Sequence, residues 1–99
     1  MSLMCQIQYF HERLKDDKRL HSSHVSLYMA LLIMWNQNLF ANPFVITRKD
    51  LMRLSKLGSI ATYQKCIYEL VAFGYIEYKP TFNSFVGTKV YIHSSGQLY

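Results

Sequence analysis

The 99-residue sequence predicts a mainly α-helical domain finished by a small β-hairpin, an α+β class. Three observations predict it. Apolar residues recur at helical spacing from the N-terminus to Phe73. Two short alternating runs follow, Tyr75 to Lys79 and Thr88 to Ile92. Gly58 and Gly74 stand where helices must stop, since glycine enters the left-handed region without a Cβ clash.

Residues 1–20 read as an amphipathic helix and a turn. Leu3, Ile7, Phe10 and Leu14 lie four, three and four apart and form one stripe, which Met4 widens. Two readings of the stripe stand side by side. It packs on its own domain, or it builds the interface of a symmetric homodimer. Glu12, Asp16 and Asp17 follow among Arg13, Lys15, Lys18 and Arg19, a mixture expected of a solvated turn.

Residues 21–93 read as the main domain. Positions 23–46 contain no Asp, Glu, Lys or Arg. Ser22 or Ser23 can cap a helix running to about Asn38 through Val25, Leu27, Tyr28, Leu31, Leu32, Ile33, Met34 and Trp35. The apolar run falls short of the ~20 residues that span a bilayer. No signal-peptide pattern precedes it, so a buried helix of a cytoplasmic protein is expected. Asn42-Pro43 breaks the chain, and Phe44-Val45-Ile46 suits a short strand.

Thr47 can cap the next helix, with Asp50 three residues on in a capping-box position. Leu51 and Leu54, with Met52, supply its apolar side. Lys49, Arg53 and Lys56 share another face through spacings of four and three. Gly58 ends this helix and Ser59 caps the following one, expected from Ser59 or Ile60 to Phe73. There Tyr63, Cys66, Ile67 and Leu70 form the buried stripe. Ala61, Lys65 and Tyr68 lie opposite, flanked by Thr62, Gln64 and Glu69. After Gly74, the two alternating runs are joined by Pro80 and the turn-rich Thr81 to Gly87.

Helix, tight turn, helix and hairpin in this order describe a winged helix-turn-helix with an additional N-terminal helix. In such a fold the second helix enters the DNA major groove, presenting donors, acceptors and small groups. Ser59, Ala61, Thr62, Gln64, Lys65 and Tyr68 are the candidate readers. Arg48, Lys49, Arg53, Lys56, Lys79 and Lys89 are the candidate phosphate contacts. Thr81, Asn83 and Ser84 are the candidate wing contacts. The run Leu54-Ser55-Lys56-Leu57-Gly58-Ser59-Ile60-Ala61-Thr62-Tyr63, then Leu70 and Phe73-Gly74-Tyr75-Ile76, resembles bacterial winged-helix regulators. It looks most like small winged-helix proteins carried by bacterial mobile elements, and the likeness covers roughly 25–92. The resemblance implies sequence-specific binding of double-stranded DNA in transcription or element maintenance. One departure is that the recognition helix holds no Arg, the commonest reader of guanine, so base readout is either modest or leans on Lys65, Gln64 and Thr62.

Charge agrees with that expectation. The formal net charge is +5, of which +4 lies in 47–99 and +1 in 1–22. A basic excess suits a nucleic-acid partner only because it coincides with the motif. Cys5 and Cys66 form no Cys-x-x-Cys pair, so a reduced protein with Cys66 in its core is expected. His21 and His24 have no carboxylate or thiol beside them in sequence, so they read as surface residues and no metal site is expected. No phosphate-cradling glycine loop, nucleophile elbow or triad is present, so neither an enzyme nor a cofactor is expected. Most tyrosines suit core or hairpin packing; Tyr68 points outward. The competing function is a protein-interaction module, or an accessory factor of replication or element maintenance without strong base readout. Residues 94–99 form a tail without a recognisable element.

Overall fold

The computed structural model describes residues 3–80 and 87–93. Along the chain run α1 (Leu3–Asp16), α2 (Ser22–Gln37), β1 (Phe44–Ile46), α3 (Arg48–Ser55), α4 (Ile60–Ala72), β2 (Ile76–Lys79) and β3 (Thr88–Ile92). The domain is mainly α, with one three-stranded antiparallel sheet in the order β1-β3-β2.

The charge-free segment becomes the centre of the core. Leu27, Tyr28, Leu31, Leu32 and Trp35 of α2 are buried, and Leu51 of α3 and Tyr63, Cys66, Ile67 and Leu70 of α4 close over them. A helix apolar on most sides must be buried on most sides, which is why the other elements wrap around α2. Its N-cap is His21 rather than Ser22 or Ser23.

Sheet register places the apolar residues on one face. Phe44 and Tyr78 both lie opposite Val90, and Ile76 lies opposite Ile92. Phe44, Ile46, Ile76, Val90 and Ile92 are consequently buried together. The Asn42 side chain extends this pairing, donating to the Ile92 carbonyl at 3.1 Å and accepting from its N–H at 3.0 Å. Gly87 is required where β3 begins. Its φ is +80°, and an added Cβ would sit 2.5 Å from Val45 Cγ1.

The α1 stripe turns inward on its own domain. Phe10 is buried, stacked on Tyr28 at 4.0 Å and edge-on to Tyr75 at 5.6 Å. Leu3, Ile7 and Leu14 pack against the same core. Gln6, buried beside them, donates to the Tyr28 hydroxyl and to the His93 carbonyl, both at 3.0 Å.

Four local expectations are corrected. Asp17 is not solvated: its carboxylate is buried, accepting from Arg19 Nε and Nη2 at 2.8 Å each, from the Arg19 N–H at 3.1 Å and from the Tyr75 hydroxyl at 2.7 Å. The Arg19 guanidinium also lies 4.1 Å over the Phe73 ring, so the turn clamps α1 to the end of α4. Left-handed backbone after α3 falls on Lys56 (φ 64°) and not on Gly58. Leu54 faces outward, while Ser55 is buried and lets α3 approach α2 through a hydrogen bond from the Ser26 hydroxyl to its carbonyl. His24 is buried, not a surface residue.

Candidate nucleic-acid interface

Capping sets the two helices that carry the candidate residues. The Thr47 hydroxyl accepts from the Asp50 N–H at 3.2 Å and starts α3. The Ser59 hydroxyl accepts from the Thr62 N–H at 3.3 Å and starts α4. Between them, left-handed Lys56 reverses the chain, and Leu57 packs on the core.

Burial of Tyr63, Cys66, Ile67 and Leu70 fixes the rotation of α4. The opposite face is therefore turned to solvent, and Ser59, Ala61, Thr62, Gln64, Lys65 and Tyr68 are all exposed. Arg48, Lys49, Arg53, Lys56, Lys79 and Lys89 are exposed as well. Among the described residues, Arg53 is the one of these six in an ion pair, with Asp50 at 3.2 Å and both groups largely in water. Lys79 and Lys89 sit directly opposite each other in the β2–β3 register, on the outer sheet face. Like charges so placed repel, and nearby anionic groups relieve the repulsion. Lys79 Nζ lies 5.3 Å from the Tyr91 ring, a contact that offsets part of the cost. Thr81, Asn83 and Ser84 lie outside the described residues.

Some of this surface was not legible in the sequence. A recess of about 440 Å³ opens between α4 and the sheet, lined by Arg48, Gln64, Tyr68, Val71, Tyr78 and Pro80 among others. Its floor holds the Tyr63 and Tyr78 hydroxyls, 3.0 Å apart. Burial, and then the hydrogen bond with Tyr78, push the Tyr63 hydroxyl well above its usual range, so it stays protonated. Ile60 and Val71 add exposed apolar surface at either end of α4.

His24 meets the carboxylate and the thiol that its sequence neighbours lack. Its Nδ1 accepts from the His21 N–H at 2.9 Å, so its proton resides on Nε2, which donates to Glu69 Oε1 at 3.0 Å. Cys66 Sγ completes a group whose ligand atoms all lie within 4.8 Å of one another. The three come from α2 and α4, 42 and 45 positions apart for His24, so only helix packing brings them together. The i,i+3 spacing of Cys66 and Glu69 was the one available sign.

Among the described residues, no helix is long and apolar enough to cross a membrane. The chain matches no family model, no curated protein and no solved structure.

Proposed function

We propose that this chain is a winged helix-turn-helix protein that binds double-stranded DNA in a sequence-specific way, in the manner of a bacterial transcriptional regulator. In this reading α4 lies in the major groove and the β2–β3 hairpin is the wing on the backbone. The observation that carries it is the exposed face of α4: a small residue, a hydroxyl, an amide and an amine (Ala61, Thr62, Gln64, Lys65) beside exposed lysines. Ala61 admits close approach to a thymine methyl, Thr62 and Gln64 reach base edges, and Lys65 reaches guanine or phosphate. Lys49 and Lys56 on the α3 side and Lys79 with Lys89 on the sheet side supply positive charge on both flanks.

No proton or group transfer is assigned to these residues; the role is binding. Phe10 is buried within the protomer, whereas Leu3, Ile7 and Leu14 are only half-buried and Met4 is exposed, so a homodimer on a two-fold DNA site could still form through the outer edge of α1. A protein-interaction module is the second reading. It is favoured by the exposed Tyr68, Val71 and Ile60 and by the recess beside them, which are more apolar than a phosphate-facing surface requires.

Selection from random duplex DNA by the purified protein, followed by a salt series on the enriched sequences, separates the two. A shared motif and a log–log salt slope of several units are expected for DNA reading. Absence of enrichment, with weak binding set by salt alone, would move the function to a protein partner.

A further inference from the structure

We propose that His24, Cys66 and Glu69 bind a zinc ion that ties α2 to α4. Imidazole, thiolate and carboxylate together are the donor set that suits zinc, whereas magnesium and calcium take oxygen alone. His24 and Cys66 are buried and Glu69 is 28 % exposed, so the group has a closed side against the core and an open side. A water completes the fourth position there.

Distances support the assignment. Zinc bonds of about 2.0–2.1 Å to nitrogen, 2.3 Å to sulfur and 2.0–2.2 Å to oxygen place tetrahedral donors roughly 3.3–3.6 Å apart. His24 Nε2 and Glu69 Oε1 are already 3.0 Å apart. With all three atoms inside 4.8 Å, the widest pair must close by at most roughly 1.2–1.5 Å, within reach of side-chain torsions.

Binding has a defined proton balance. Cys66 releases its thiol proton to solvent as the Zn–S bond forms. The His24 proton moves from Nε2 to Nδ1 as Nε2 takes the metal, leaving the ring neutral. Glu69 exchanges an N–H donor for the ion. The new Nδ1–H and the His21 N–H then face each other as donors, so their 2.9 Å contact opens and one water, admitted beside the exposed N-cap His21, accepts from both. The site depends on the packing of α2 against α4 and stands whether or not α4 meets DNA.

The test uses the full chain, stripped with a chelator and titrated with Zn2+ against a chromogenic competitor, and separately with Co2+. One ion per chain is expected, with a Tm that rises with free Zn2+. Co2+ should show tetrahedral d–d bands and a thiolate charge-transfer band. The band should vanish in Cys66→Ala and persist in Cys5→Ala, and the His21 amide should lose hydrogen-exchange protection on metal binding. Should Cys66→Ala not fold, Glu69→Gln weakens Zn2+ by roughly tenfold or more. No saturable binding, a spectrum without the thiolate band, or a band retained without Cys66 would each overturn the site.

Discussion

Replacing Asp17 by Asn should cost this small domain a large part of its stability. The carboxylate is buried and accepts four hydrogen bonds, from Tyr75 Oη at 2.7 Å and from three N–H groups of Arg19. Asn keeps one acceptor oxygen but removes the charge and meets the guanidinium with an NH2. The Arg19 side chain is 54 % exposed, so solvent screens its pairing with the carboxylate. The bond from the Tyr75 hydroxyl, to a charged acceptor inside the protein, adds about 1.5–3 kcal/mol. A loss of about 1.5–3 kcal/mol shifts Tm by at least ~6 °C in a domain of this size. A pH dependence follows. The Arg19 guanidinium first, then the Tyr75 hydroxyl, hold the Asp17 carboxyl well below the usual carboxylate range, against the effect of burial. A depressed folded value means the contribution is present above the unfolded value of about 3.9 and is lost as pH falls through the folded value. Urea unfolding of both proteins near neutrality and again below about pH 4 measures both effects. The gap between wild type and Asp17→Asn should be wide near neutrality and narrow in acid. An equal midpoint near neutral pH, or a gap indifferent to acid, would refute the role given to this carboxylate.

Lys49→Ala should weaken binding to all duplex sequences alike and lower the log–log salt slope by about 0.9, or roughly 3.5-fold in affinity across a fourfold change of salt. Gln64→Ala and Thr62→Ala should instead change the preferred sequence in a repeated selection; uniform loss for both would mean that α4 does not read bases. Gly87→Ala introduces a Cβ 2.5 Å from Val45 Cγ1 at a φ of +80°. It should destabilise by about 2 kcal/mol or more, read as a lower urea midpoint; an unchanged midpoint would contradict the crowding. Ser59→Ala removes the cap bond to the Thr62 N–H and should cost about 1 kcal/mol, with earlier hydrogen exchange confined to the first turn of α4.

Local signals located the elements because each acts over a few residues. Thr47 and Ser59 cap α3 and α4 as their hydroxyls predict, and the alternation of 88–92 yields a strand whose buried members are Val90 and Ile92. The phase of α4 was equally legible, since four buried residues at helical spacing determine which side remains for solvent. Signals that depend on a partner were misread. Asp17 sits in a run of mixed charge that looks solvated until Tyr75, 58 positions away, brings its hydroxyl to the carboxylate. Leu54 looks apolar-facing, yet it is Ser55 that is buried, because close approach to α2 favours the smaller side chain inside.

The sequence by itself determined the helices, the strands, the N-caps of α3 and α4 and the outward face of α4, because periodicity and capping are properties of neighbouring residues. Only the tertiary structure decided that α1 covers its own core, that Asp17 is clamped by Arg19 and Tyr75, and that His24 meets Cys66 and Glu69. Those outcomes depend on how α2 crosses α4 and where α1 docks. Such contacts join positions far apart in the chain, through packing that no local pattern encodes.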